Sequence, residues 1–437
     1  MVPFAPPALQ IPALAPPPAP RPSAALTLDL AQALARAKAE NPQIRAAQAR
    51  VEERAGLITS TRADALPQVS LIGDFTRVRD VSLLNSGFGD SAAAFGLDPT
   101  ALVGARNIYT GQATLTQPLF YWGKLGTAIK VAKMGQKEAG YAYTTAELDV
   151  LHGVAKAYLA VLAAQANLEV VTVRKQAADA FLADVKAKLD AQTATELDLL
   201  RAQSESLAVE PENLQAQADL DRAVEVLDGQ LGLDPKTPLA LASLGQPDLG
   251  PKPAGVERSE IAQLRQDEAM YRENDKILKS DLRPKFDFNA SYGYQAGKTD
   301  LLFKEPYDTW RVNVTMKFPI FDGLRSAGKR AQNTAQLEEV RQARIDRERA
   351  IAVEKSTADR ELTKAVALNE AARKAHDAAA EALRVSREFF DQGLITSLDL
   401  LQAERSERQA ESQRRQAELG VWAAIFDQRR ALGLPPL

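Results

Sequence analysis

Residues able to do covalent or metal chemistry are scarce in this chain of 437 residues. It has no cysteine and only two histidines, His152 and His376. A zinc centre wants several imidazole or thiolate ligands, so no metal is expected. Disulfides and a lipidated N-terminal cysteine have no thiol to use. Both histidines fall in helical seams and read as packing or surface residues. No glycine-rich phosphate loop, hydrolase elbow or pair of catalytic acids is visible, so we expect no enzyme, no cofactor and no catalytic residue. A net charge of -3 with a pI near 5.8 argues against a nucleic-acid partner. The Arg- and Glu-rich run at 338–349 reads as a solvated or interhelical charge face.

The chemistry that remains is that of surfaces, and residues 283–321 carry it. Phe286, Phe288, Ala290, Tyr292 and Tyr294 alternate with Asp287, Asn289, Ser291 and Gly293. A second arm repeats the pattern, with Trp310, Val312, Val314, Met316, Phe318 and Ile320 against Arg311, Asn313, Thr315 and Lys317. Strict period-2 alternation means a strand with unlike environments on its two faces. A soluble antiparallel sheet with one wet face reads the same way. Each arm nevertheless has about the 9–11 residues that cross a bilayer, and aromatics gather near the ends. Phe286, Phe288, Tyr292, Trp310, Val312 and Val314 are the expected lipid-facing positions.

The remaining elements must position this hairpin. Residues 1–22 hold nine prolines and no basic residue before Arg21. They read as an extended arm without the basic start of a secretory leader; for an exported protein, the leader is expected to be absent from this numbering. A helical stretch over 28–64, capped by Thr27 with Asp29 in its first turn, should break at Pro42. Strands are expected at 66–79 and 107–119, separated by a glycine-containing loop at 81–106. Beyond them a heptad seam runs through Val150, Val154, Ala157, Val161, Ala164, Leu168 and Val171. A second seam (Leu148, Leu151, Ala155, Tyr158, Leu162) lies beside it, as a helix gripped from both sides requires. That helix should turn near 191–196 and return to about Gly232, with a kink at Pro211. A proline-rich linker occupies 233–256. A helix at about 257–282, strands at 284–295 and 307–320, and a helix through the Gly- and Pro-free run 329–392 follow. Gly393 is the expected turn, and Thr396 or Ser397 the cap of the return helix. No run approaches 18 apolar residues, so no membrane-spanning helix is expected.

The chain is doubled. Pro118-Leu-Phe120 matches Pro319-Ile-Phe321, Leu197-Asp-Leu-Leu200 matches Leu398-Asp-Leu-Leu401, and Leu231-Gly-Leu233 matches Leu432-Gly-Leu434. Each offset is 201 (319 - 118, 398 - 197 and 432 - 231). The expected organisation is an arm (1–25), a first repeat (26–232), a linker (233–256) and a second repeat (257–434). Four strands per chain cannot close a barrel, and lipid does not tolerate an open sheet edge. Three chains would supply 3 × 4 = 12 strands, an even number within the known range. The helices would ring the same axis, making a conduit that crosses a membrane and continues as a tube. Asp399, one turn past Gly393 at the tube's end, is the main functional candidate, although a solvated helix residue would look the same. Asp198 is its repeat partner and suits a structural role at the other turn, with Thr195.

The sequence resembles the TolC-like outer-membrane efflux proteins over roughly residues 26–434. The resemblance rests on Ala-Leu-Ala-Arg-Ala-Lys-Ala-Glu-Asn-Pro42, Gln117-Pro-Leu-Phe120, Phe318-Pro-Ile-Phe321, Gly393-Leu-Ile-Thr-Ser-Leu-Asp-Leu-Leu-Gln402 and Ala431-Leu-Gly-Leu434. It implies a mostly helical fold with a membrane β-barrel portion, in which a homotrimer forms a 12-stranded barrel continuing into a periplasmic α-helical barrel. It further implies a place in the outer membrane of a Gram-negative-type cell, in contact with its lipid. The duct would serve tripartite efflux or type I secretion, docking to an inner-membrane pump through a periplasmic adaptor protein. Two departures stand out: the missing cysteine for the lipid anchor that some members carry, and Gln402, where some place a second acidic residue beside the pore. The competing reading is an elongated soluble periplasmic coiled-coil adaptor or scaffold without a pore.

Overall fold

The computed structural model describes residues 26–79, 91, 94–96, 105–192, 195–234, 239–247, 249–251, 253–392, 394–395 and 397–437. The proline-rich arm, most of the 81–106 loop, and Gly393 and Thr396 lie outside the described residues. The chain begins with β1 (Leu26–Leu28), α1 (Leu30–Glu40) and α2 (Pro42–Ala63). Asp29, rather than Thr27, caps α1. Its carboxylate accepts from the Gln32 amide at 2.7 Å, and its own amide donates to Gln32 Oε1 at 3.1 Å, a reciprocal capping box. Thr27 is unavailable because β1 pairs in parallel with β4 (Leu239–Leu241), inside the stretch read as a linker. Asn41 and Pro42 divide α1 from α2, with Asn41 Oδ1 accepting from the Gln43 amide and proline in the first turn, where its missing N–H costs nothing.

Two strands, β2 (Gln68–Val78) and β3 (Arg106–Phe120), lead into α3 (Lys124–Asp190) and α4 (Glu196–Leu231). After β4 the series recurs: α5 (Ser259–Ser280), β5 (Lys285–Ala296), β6 (Asp308–Lys317), α6 (Arg325–Asp391) and α7 (Ser397–Ala431). Both α3 and α6 have 67 residues, about 100 Å at 1.5 Å per residue. Each enters from its strand through two consecutive left-handed residues, Trp122 and Gly123 in one repeat and Gly323 and Leu324 in the other. Glycine relieves one member of each pair, and packing must hold the other.

The helices make four rods side by side. Two are single, α3 and α6; two are composite, because α4 ends where α2 begins and α7 ends where α5 begins. Asn41 Nδ2 donates to the Gln230 carbonyl at 2.8 Å across the first junction, and the Val256 amide to the Leu432 carbonyl at 3.0 Å across the second. Gly232 and Gly433, 201 apart, take positive φ at these helix ends. Rod α3 lies between α2/α4 and α5/α7, and α6 lies beyond α5/α7, so α2/α4 and α6 form the two edges.

The core sits at the junction level, where Tyr158, Val154, Leu227, Leu231, Ile44 and Phe426 are buried. The Tyr158 hydroxyl donates to the carbonyls of Ala242 (2.6 Å) and Leu28 (3.1 Å), tying α3 to the β1–β4 pair. Beside it the buried Arg258 holds Glu260 at 2.6 Å and Glu354 at 2.8 Å. Burial opposes ionisation of Glu260, but Arg258 and then Arg430 hold its carboxyl down at about 2. These ion pairs lock α5, α6 and α7 together. The expectation about membrane-spanning helices needs one correction: α3 contains a window long and apolar enough by length and composition. The same helix supplies the core residues Val154, Ala155, Tyr158 and Val161, and their packing accounts for part of its apolar character.

Candidate functional site

The four longer strands form one antiparallel sheet in the order β2-β3-β5-β6. Its register decides which side chains share a face. Phe286 pairs with Met316, Phe288 with Val314, Ala290 with Val312 and Tyr292 with Trp310. On β3 the same face carries Leu115, Ala113 and Tyr109, and on β2 Val69, Leu71 and Phe75. So Phe286, Phe288, Tyr292, Trp310, Val312 and Val314 come together on one continuous apolar surface. It is open: Leu71 is 86% exposed, Val69 73% and Trp310 72%, while Phe286 and Phe288 are half-buried. β6 ends at Lys317, so Phe318 and Ile320 lie beyond the strand. Pro319 has no N–H to continue the ladder. In β3 the equivalent Pro118 is absorbed by a register shift before Phe120.

Aromatic rings bound this surface at both ends. Far from the helices, Phe75 and Tyr109 lie 4.9 Å apart, and Phe303 reaches back over Gly111 to Tyr294, 5.4 Å away. At the helical end Phe120 stacks edge-on to Trp122 at 5.0 Å. Trp122 Nε1 donates to the Pro284 carbonyl at 2.7 Å, and Arg283 lies over its ring at 5.1 Å, which fastens one repeat's strand-to-helix turn to the other's. The opposite face is polar. Thr116 donates to Asn289 (3.3 Å), Asn289 and Asn313 both donate to Thr315 (3.3 and 2.9 Å), and Ser70 meets Thr114 at 2.7 Å.

The other candidates lie about 100 Å away along the rods. Thr195 caps α4: its hydroxyl accepts from the Asp198 amide (3.2 Å), while its own amide and hydroxyl donate to Asp198 Oδ2 at 3.0 and 2.6 Å. These hydrogen bonds hold the Asp198 carboxyl below the usual aspartate range. Asp399 occupies the first turn of α7, the position 201 residues on, and is exposed, as is Gln402. Above the turns, a groove of about 530 Å³ separates the two long hairpins, lined by Ala178, Phe181, Arg174, Glu205, Arg405 and Arg408. His152 Nε2 lies 3.0 Å from Asp427 on α7, a carboxylate shared with Lys156 at 2.8 Å. His376 faces Glu411 (3.3 Å) and Glu407 (3.6 Å) on α7.

One feature escaped the sequence reading. On the edge rod α4, Leu200, Leu207 and Leu214 are spaced by seven and are 56%, 72% and 62% exposed. Their heptad spacing was legible; that they stay uncovered within one chain was not.

Comparison with known proteins agrees with this geometry. A family model described as outer membrane efflux protein matches residues 33–233 and 251–433. The outer membrane protein TolC of Vibrio cholerae is 22% identical over 422 residues, covering 93% of this chain and 90% of that protein. The pyoverdine export outer membrane protein OpmQ of Pseudomonas aeruginosa is 26% identical over 324 residues, covering 71% of this chain and 65% of that one. The crystal structure of the Campylobacter jejuni CmeC outer membrane channel superposes with a TM-score of 0.80 at 16% identity, covering 92% and 85% of the two chains.

Proposed function

Because this chain belongs to the outer membrane efflux protein family, we propose that three copies of it close into a single exit duct served by a periplasmic adaptor and an inner-membrane pump. The chain is an outer-membrane channel subunit with its helical rods in the periplasm. The observation that carries the trimer is the sheet itself. It exposes a continuous apolar face, and within the described sheet its outer strands β2 and β6 have one neighbour each. An edge in lipid must be paired, because no water is there to satisfy its N–H and C=O groups. β2 and β6 run in opposite directions, so the β2 of one copy can continue the antiparallel ladder from the β6 of the next. The helices support the same closure, since Leu200, Leu207 and Leu214 need a cover that an adjacent α6 would supply.

In this assembly the apolar sheet face meets lipid and the polar face lines the lumen. Three copies of Asp399 then surround the axis at the far end, with the neutral Gln402 one turn further along. The groove between the hairpins is open to the periplasmic side, and its Arg and Glu lining suits the charged helical hairpin of an adaptor. A soluble scaffold would leave the apolar face in water, where patches of this size are not tolerated. Membrane fractionation followed by mass measurement in detergent tests the proposal. The expected result is an integral protein of three chains; a stable monomer in detergent would refute it.

A further inference from the structure

The polar face of the sheet has an uneven charge. The register places Arg106, Lys285, Arg311 and Lys317 on it against Asp74 and Asp287, so 4 - 2 gives +2 per chain. Some of these charges are engaged locally. Lys285 lies 3.5 Å from Asp281, and Asp287 accepts from the Tyr121 hydroxyl at 2.7 Å. Arg311 and Lys317 differ: both are exposed, and neither forms an ion pair among the described residues. Across the sheet, Arg311 faces Ser291, then Thr114 and Ser70, so its row holds hydroxyls and no carboxylate. Lys317 sits directly opposite Lys285, a like charge.

We infer that the barrel lumen attracts anions, and that Arg311 and Lys317 select small anionic or anion-bearing cargo at this last stage of export. The inference rests on the trimeric duct proposed above, in which three-fold symmetry sets the copies of Arg311 at one height. Twelve strands about 4.8 Å apart and tilted by about 40° enclose a backbone radius of about 12 Å. An arginine reaching about 6 Å inward leaves its charge some 6 Å from the axis, inside the Debye length of about 8 Å at physiological salt. A permeating anion therefore feels all three guanidinium groups at once. Lysine and arginine rings of this kind select anions in phosphate pores. The duct then has two electrostatic stages, an acidic ring at the helical tip and a basic lumen in the barrel.

Side-specific block separates the two stages. Tripolyphosphate added to the barrel side of full-length channels in a planar bilayer should block conductance at low salt, and lose that effect in 1 M salt. From the helical side the same concentration should block far less. The Arg311→Gln/Lys317→Gln double variant should need roughly tenfold more tripolyphosphate from the barrel side. Arg311→Lys, which keeps the charge, should stay near the wild type and controls for loss of folding. A conducting trimer with equal block from both sides, or a double variant blocked like the wild type, overturns the inference alone. A wild-type chain that yields no conducting trimer overturns the duct reading and this inference with it.

Discussion

Two acidic residues show how position sets the role of a carboxylate. Asp198 is bonded to Thr195 in the first turn of α4, and Asp399 stands at the equivalent place in α7 with its side chain reaching solvent. If three copies of Asp399 surround one axis, as the proposed trimer requires, multivalent cations added from the helical side should block conductance. Asp399→Asn should raise the blocking concentration by about tenfold, measured in planar bilayers. Asp267 shows the opposite environment. Burial on α5, and then the neighbouring Glu138 charge, push its carboxyl up to about 6. An acid raised above its unfolded value of about 3.9 favours the folded state when protonated, so its cost to stability grows as pH rises from about 4 to 6 and is full above that. Asp267→Asn should therefore raise the melting temperature at pH 7.5, with the gain shrinking towards pH 4. Thermal unfolding at the two pH values checks both the sign and the window.

At the scale of elements, the strands are defined by their faces. Val314 pairs with Phe288 on the apolar side, and Asn313 pairs with Asn289 on the polar side, one residue away. If the apolar side meets lipid, Val314→Arg should disfavour insertion by about 2–4 kcal/mol near the midplane. Asn313→Arg should be milder, since that face looks into water. The yields of heat-resistant oligomer from the two variants measure the difference; equal damage would mean the faces are misassigned. The helices are defined by their junctions instead. Each composite rod is broken at a glycine with positive φ and rejoined by a hydrogen bond to a carbonyl at the end of the first helix, from Asn41 Nδ2 in one rod and from the Val256 amide in the other. The buried core lies at the level of these junctions, around Ile44, Tyr158, Leu227, Leu231 and Phe426.

The whole molecule is a wall four rods wide, topped by four strands, and a wall of that kind needs closure. Its exposed edge rod offers Leu207, with Leu200 and Leu214 one heptad to either side. In a closed ring each of these leucines is buried at a boundary between copies, at about 1.5–3 kcal/mol for full burial. Leu207→Asp repeated in three copies should release monomer in mild detergent while helix content stays unchanged. Detergent-phase mass and circular dichroism together check this, and an undiminished trimer would place the seam elsewhere.

Much of this protein is legible from sequence because its signals are periodic and repeated. The 201-residue offset, the alternation from Phe286 to Tyr294, the paired seams around Val154, and the break at Pro42 all follow from local chain geometry, and each occurs in the structure as an element or a boundary. What sequence could not supply depended on partners distant in the chain. Thr27 has the residue type of a cap, but its strand pairs with β4, more than 200 residues away, and Asp29 caps α1. The proline-rich stretch 233–256 reads as a linker between the repeats, yet Tyr158 fastens it to the core through Ala242. Phe318 and Ile320 kept the alternation, but Pro319 ended the ladder. Periodicity states which residues share a face. Only tertiary structure decides what that face meets, because burial and pairing depend on the chain segments brought alongside it.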